Sequence, residues 1–457
     1  MKEYACRRTL GVVVLLLSVP LVVIAQPAPA PHHLRAYAVD SGLHAGSIDG
    51  GAAPILVHSE VVRVAEAPWL RLHFADANLG RASYLVLTAQ EDGARQRLDA
   101  ARMAQWQNAS AFFNGDAVTI ELFAGSGDTG VFYSLREVMV GESADRANAG
   151  KDAPEKLRPE SICGPDDDRV ASTDPASGRI VPIGCTGWII SNGSFLTAGH
   201  CVGGGTQTLE FNVPPSDPNG TINHPGPEDQ YPIEPVGGIE FSNGGVGDDW
   251  GVFDAGVNDN GETAVERQQA YYRMSRDTNP ATIRITGYGV DGPPPNFGNG
   301  PRNEDNQTQQ THSGASTGET VNSPSNAFWN YTADTQGGNS GSPVIVDGTT
   351  LTVGIHTHGG CSVGGGANAG SSFEIDDLEA AIQVNPGPGI IYADIGHTVV
   401  IEDGTVMRPF DTVLEAVNVA APGGHVSIVE GNYDGETMVI DKALTISIPV
   451  GMVVIGN

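Results

Sequence analysis

The stretch Asp334-Thr335-Gln336-Gly337-Gly338-Asn339-Ser340-Gly341-Ser342-Pro343-Val344 sets a serine among glycines, in a loop that runs straight into an apolar strand. Such a loop suits a nucleophile. Small neighbours let a carbonyl approach Oγ, and glycine lets successive main-chain N–H groups turn toward one point, here the amides of Gly338 and Ser340. The bland alternative is a Gly/Ser-rich surface turn, and with 60 glycines in the chain such turns are common. The loop gains catalytic meaning only if the chain also supplies a histidine base and a carboxylate to orient it.

The base is found in Cys185-Thr186-Gly187-Trp188-Ile189-Ile190-Ser191-Asn192-Gly193-Ser194-Phe195-Leu196-Thr197-Ala198-Gly199-His200-Cys201, where a histidine falls just past a strand. Together, TAGHC and GNSGSP resemble the chymotrypsin-like (trypsin-like) serine endopeptidases. The GNSGSP form, with Asn339 before the serine and Ser342 after Gly341, is similar to the bacterial glutamyl-endopeptidase branch; trypsin reads GDSGGP there. The resemblance implies a third member, an aspartate opening a short strand between His200 and Ser340. Asp249-Trp250-Gly251-Val252-Phe253 fits. The steps from His200 to Asp249 and from Asp249 to Ser340 are 49 and 91 residues. The chymotrypsin template spaces the same order by about 45 and about 93 residues. Asp248 competes, but register against the following strand favours Asp249.

In that arrangement His200 takes the Ser340 proton during attack on the scissile carbonyl, and Asp249 holds the imidazole tautomer and stabilises its charged form. The Gly338 and Ser340 amides bind the oxyanion, at about 3 kcal/mol per donor. Taken singly, His200 reads better as a packed loop histidine and Asp249 as a solvated turn acid. With Ser340 they read as a triad.

The resemblance places the pocket wall at Asp334 and Thr335 and at Gly354-Ile355-His356-Thr357-His358-Gly359. In glutamyl endopeptidases a histidine and a hydroxyl in these places bind an acidic side chain, and His356 and Thr335 match; both groups can donate to a carboxylate. Asp334, however, falls where trypsin keeps its pocket aspartate. If it turns away, cleavage after Glu or Asp is expected; if it lines the base, Lys or Arg is preferred. The balance leans to Glu, with Thr357, His358 and Gly359 completing the wall. A third possibility is an inactive surface binding protein on a protease scaffold. Cys185 and Cys201 match the family's disulfide beside the catalytic histidine, which leaves Cys163 to pair with Cys361. The segment from Ser161 to Arg169 sits where mature glutamyl endopeptidases begin, so cleavage after Glu160 is expected to free the Ser161 amine.

The elements that must position these groups extend over 457 residues, enough for two or three domains. A mainly β chain is expected: a chymotrypsin-like double β-barrel at residues 161–384, preceded by an all-β sandwich at 26–142 and a polar linker at 143–160. Residues 385–457 form a second linker and a tail that resembles the opening turn of a parallel β-helix. In the sandwich region the clearest strands lie at 61–64, 69–72, 84–87, 118–122 and 131–133, with one helix at 98–107. Its position suggests a propeptide or an accessory binding domain, and His58 and His73 read as ordinary strand residues. Asn192-Gly193 and Asp347-Gly348 mark hairpins, and residues 214–247 read as surface loops. Helices are expected at 376–382 and at 412–419, the latter capped by Asp411, and tail strands at 426–429, 438–440 and 444–446. One β-helix turn cannot bury its own core, so the tail either docks on a neighbour or opens something longer.

Residues 1–25 read as a secretory signal, with Lys2, Arg7 and Arg8 before an apolar run interrupted by Pro20. Removing it takes away Cys6 and leaves four cysteines, an even number suited to an oxidising compartment. No other stretch is apolar and long enough to span a bilayer. The chain therefore reads as secreted or periplasmic. With 24 basic against 54 acidic residues, the net charge of −30 argues against nucleic acid or an anionic membrane as partner. Protein or peptide substrates, a monomer and no cofactor are expected. The histidines lack metal-ligand spacing, and Asp166-Asp167-Asp168 reads as a solvated arm.

Overall fold

Period-two alternation puts far more of the described chain into strands than into helices. The structure, a computed structural model, describes residues 27–148, 161–202, 207–233, 239–291, 302–385, 389–397, 401–435 and 438–456. The signal reading of residues 1–25 and the expected cut after Glu160 lie outside these residues.

Two antiparallel sheets make the sandwich. One orders His32–Asp40, Thr129–Gly141, Trp69–Asn78 and Phe113–Asn114, with His44–Ala45 also on Thr129–Gly141; the other orders Ile55–Arg63, Ala117–Ala124, Tyr84–Ala89 and Arg95–Leu98. In Ala117–Ala124, Val118, Ile120 and Leu122 face inward and are fully buried, alternating with half-buried Thr119, Glu121 and Phe123. They meet Leu70, Leu72 and Phe74 of the facing sheet in one core, where each buried aliphatic side chain is worth about 1.5–3 kcal/mol. The helix expected at 98–107 is shorter, Ala100–Gln105, because Asp99 caps it by accepting the Arg102 N–H and the strand Arg95–Leu98 precedes it.

The next region holds two six-stranded antiparallel barrels, the expected fold class. In the first, strand order is Gln230–Pro232, Thr208–Glu210, Ser177–Val181, Cys185–Ile189, Phe195–Thr197 and Asp249–Phe253. The ring closes where Ile233 bridges Ala255 and the Gly256 N–H donates to the Pro232 carbonyl at 2.8 Å. In the second, Gln310–Ser323, Thr282–Gly287, Pro343–Val346, Leu351–His358, Asn368–Ser372 and Asn326–Tyr331 follow in order, and the last pairs back to the first. The stretch 214–247 departs from its expectation: it contributes Gln230–Pro232, which the first barrel needs for closure, and Glu240–Asn243 at its edge. Its prolines and glycines mark the loops between these strands and conceal them.

Beyond the helix Asp376–Val384, the strands Ile390–Ala393, His425–Ile428 and Thr445–Ser447 pair in parallel, as do Gly431–Tyr433 and Val453–Ile455. Residues 438–440 form no strand. The helix Val413–Val419 is capped by Thr412, whose hydroxyl accepts the Glu415 N–H at 3.2 Å, and not by Asp411. Ile390, Tyr392, Val406 and Met407 share a core with Trp188, Ile345 and Ile355, so the tail is seated on the barrels. No described helix is long and apolar enough to cross a membrane.

Candidate active site

His200 sits in a one-turn 3-10 helix, Gly199–Cys201, just after the strand Phe195–Thr197. Gly199 is required there, since a Cβ would lie 1.7 Å from the Ser242 carbonyl oxygen. Asp249 opens its strand fully buried, with its N–H on Ser371 Oγ at 3.1 Å and its carbonyl accepting the Ser371 hydroxyl at 2.9 Å. Its two carboxylate oxygens are divided between the His200 main chain and ring: Oδ1 accepts the His200 N–H at 2.9 Å, and Oδ2 lies 2.7 Å from Nδ1. A carboxylate so placed holds the Nδ1–H tautomer and leaves Nε2 as acceptor. Nε2 is buried and has no partner among the described residues.

The Ser340 loop is held by the first barrel. Thr186 donates its N–H to the Ser340 carbonyl at 2.8 Å and its hydroxyl to the Gly338 carbonyl at 3.0 Å, and Trp188 Nε1 donates to the Gly341 carbonyl at 3.0 Å. These bonds pull the carbonyls toward the barrel. The Gly338 and Ser340 N–H groups take part in no hydrogen bond among the described residues. Gly338 has φ +99°, and a Cβ on it would lie 2.4 Å from the Tyr288 carbonyl oxygen, so only glycine fits. The Ser340 carbonyl oxygen is 3.7 Å from Cys201 Sγ, which brings the loop beside the residue following His200. Cys201 is bridged to Cys185 and Cys163 to Cys361, with Cα separations of 6.2 and 4.7 Å.

The pocket residues divide. His356 lies alongside the serine loop: its carbonyl accepts the Gly341 N–H and its N–H donates to the Ser342 carbonyl, both at 2.8 Å. Its Nδ1 is 2.7 Å from the hydroxyl of Tyr331, a residue that the sequence reading missed because nothing local marks it. Burial, helped by the neighbouring His358 and His200, lowers the His356 pKa to about 3, while burial pushes Tyr331 well above its usual range. Both groups are thus neutral, and donation from the Tyr331 hydroxyl to Nδ1, which gives the buried phenol proton its one acceptor among the described residues, is the arrangement that puts the ring proton on Nε2. Thr335 Oγ1 is buried and unpartnered among the described residues. His358 places Nδ1 4.0 Å from Asp249 Oδ2 and 2.8 Å from the Thr357 hydroxyl; burial lowers its pKa against the pull of Asp249. Gly359 leaves room for Ser161, whose Cβ a Gly359 side chain would approach to 2.6 Å.

Asp334 turns to the arm that precedes the first barrel. Its carboxylate accepts the Cys163 N–H at 2.7 Å and the Asp168 N–H at 2.9 Å, and its own N–H donates to His312 Nδ1 at 2.7 Å. Burial raises its pKa against those two bonds. Asp168, His312 and Asp334 come within ligand distance of one another, but these backbone donors already occupy both Asp334 oxygens. The arm itself differs from expectation. Asp166 and Asp168 are exposed, whereas Asp167 is buried and pairs with Arg169 at 2.6 Å and Arg302 at 3.0 Å.

No family model matches the chain, and no curated protein matches it by sequence. Among solved structures, it is similar to the thermostable serine protease AL20 of an extremophilic microorganism at 14% identity. That match covers 45% of this chain and 98% of AL20, with a TM-score of 0.33. A mutant of human heparin binding protein (CAP37) is matched at 14% identity over 49% of this chain and 99% of that one, with a TM-score of 0.34. The two barrels stand on their own strand pairing, and nothing about the site rests on these likenesses.

Proposed function

We propose that the protein is a secreted serine endopeptidase acting through Ser340, His200 and Asp249. The observation that carries the reading is the buried Asp249 carboxylate at 2.7 Å from His200 Nδ1, in a turn that packs against a glycine loop with two unengaged amides. Ser340 Oγ attacks the scissile carbonyl carbon while His200 Nε2 takes its proton, and the resulting oxyanion accepts from the Gly338 and Ser340 N–H groups. The imidazolium returns that proton to the leaving amine as the C–N bond breaks, giving the acyl-enzyme. Water, deprotonated by the same nitrogen, then hydrolyses the ester and restores Ser340.

Cleavage after Glu is the favoured specificity. Thr335 Oγ–H and His356 Nε2–H are donors without acidic competitors, and the Asp334 carboxylate is engaged by the arm, which speaks against tryptic selection. Processing after Glu160 fits the same preference. The residue it would free, Ser161, is docked beside the pocket: its carbonyl accepts the Thr335 N–H at 3.2 Å, and its hydroxyl donates to the Thr335 carbonyl at 2.6 Å. The parallel pairing of the tail supports its reading as the first coil of a β-helix. Labelling with a serine-directed fluorophosphonate, lost in Ser340→Ala together with roughly 10⁶-fold in kcat, tests the mechanism. An unlabelled wild-type chain would leave the binding-protein reading. Cleavage-site profiling on a peptide mixture tests the specificity.

A further inference from the structure

We propose that residues 27–148 are a permanent partner of the barrels: after a cut within residues 149–160, the two pieces stay together non-covalently and the catalytic cleft stays open. The surface is built like an interior, in three layers. Main chain meets main chain where the Ala28 N–H donates to the Gly184 carbonyl and the Ala30 N–H to the Pro182 carbonyl, each at 2.9 Å. Gly184 is the residue that allows this approach, because a Cβ there would fall 1.7 Å from the Ala28 carbonyl oxygen. Next to this strap, Trp69, Phe112 and Met139 of the sandwich bury into one cluster with Val181 and Ile222 of the first barrel.

The third layer is polar and largely paired, with His224 Nε2 and Trp69 Nε1 the buried atoms left without a partner among the described residues. Gln230 of the barrel accepts the Phe112 N–H and donates to the Phe112 carbonyl, both at 2.8 Å. Asn114 of the sandwich makes the same kind of reciprocal pair with the His224 main chain, both bonds at 2.9 Å. The His224 ring lies flat on Phe112 at 4.5 Å, with Nδ1 2.7 Å from Glu210, a fully buried carboxylate that also takes two bonds from Arg179. Separation would expose the aromatic cluster and break matched pairs at once, the behaviour of obligate rather than transient interfaces. A propeptide that inhibits by blocking substrate must occupy the cleft. Among the described residues, none of these contacts involves His200, Asp249, Ser340, Thr335 or His356.

The test uses the full chain carrying Ser340→Ala, with a recognition site for an unrelated, sequence-specific protease replacing residues 151–157. After cutting, both pieces are expected to elute together from gel filtration in native buffer, at the volume of the uncut chain, and to separate only in concentrated urea. Separation in native buffer would overturn the proposal. The same insertion in the chain retaining Ser340 should hydrolyse a small peptide at rates within twofold before and after the cut. A rise of tenfold or more on cutting would make the sandwich an inhibitor and overturn the open-cleft half. This second arm rests on the peptidase reading; a chain inactive both before and after cutting counts against that reading, while co-elution decides the partnership alone.

Discussion

Replacing Tyr331 with Phe removes one oxygen and keeps the buried ring. Tyr331 is fully buried, and its hydroxyl bonds to His356 Nδ1 at 2.7 Å. Losing a neutral hydrogen bond costs about 1 kcal/mol, and leaving its buried partner unsatisfied about 1–3 kcal/mol. Part of that is lost from folding. The rest falls on substrate, because the tautomer is no longer fixed and Nε2 presents its proton only part of the time. A loss of one to two kcal/mol in transition-state binding is about a 5–30-fold fall in kcat/KM. The assay is kcat/KM on four peptides identical except at the residue before the scissile bond: Glu, Gln, Leu and Lys. The Glu and Gln peptides, which need the donor, should lose this factor; the Leu peptide should change by less than about twofold. Thermal midpoints measured alongside separate stability from recognition. An equal loss on all four peptides, or a lowered midpoint with Glu hydrolysis unchanged, would refute the assignment of His356 as a fixed donor to the substrate side chain.

Asp249→Asn should leave the fold intact and cut kcat by about 10⁴-fold, since an amide facing Nδ1 favours the wrong tautomer; active-site titration combined with steady-state rates checks it. Opening the Cys185–Cys201 bridge with paired serines releases a loop with a sequence separation of 16 and should cost about 3 kcal/mol, read from denaturant midpoints, with a fall in activity because His200 adjoins it. Stability should also decline in acid through His224. Burial lowers its pKa below 6.5, with Arg179 and Arg71 adding to the shift and Glu210 opposing it, so the unfolded chain takes up the proton first. Its contribution is complete above about pH 6.5 and is lost progressively as the pH falls from there to the lowered value in the folded chain. Glu210, whose pKa is lowered, adds a loss of the same sign further into acid. Urea midpoints between pH 8 and 5 measure the slope, and His224→Gln should flatten its upper part; an unchanged slope would remove His224 as the cause.

The candidate site was legible because its motifs are local. GNSGSP, TAGHC and the acid at 249 each sit at the end of a short strand, and the glycines that geometry demands, Gly199 and Gly338, stand in the motifs themselves. The sandwich strands were legible through their alternation. What escaped depends on contacts distant in sequence. Barrel closure through Ile233 and Ala255 joins segments whose loop residues mask the strands. The strand His32–Asp40 carries no apolar alternation, since its edge position leaves most of it exposed. Asp167 read as solvated because Arg302, which helps to bury it, lies far along the chain.

Asp334 shows the same limit at the point where it matters most. By position it belongs to a basic-residue pocket; by contact it belongs to the arm. Turning its carboxylate toward substrate would strip the Cys163 and Asp168 N–H groups of their acceptor, at about 1–3 kcal/mol for each buried donor, and would carry a desolvated charge into the pocket. The Cys163–Cys361 bridge opposes that rotation, because it ties the arm that supplies those donors to the loop after His358. On the proposed reading the second disulfide thus acts on specificity: it keeps a trypsin-like aspartate occupied, so that Thr335 and His356 are the groups left to meet the substrate. The prediction is direct. Reducing that bridge alone, as Cys163→Ser with Cys361→Ser, should lower the ratio of Glu to Lys cleavage, and an unchanged ratio with a lowered thermal midpoint would show the bridge to be purely structural.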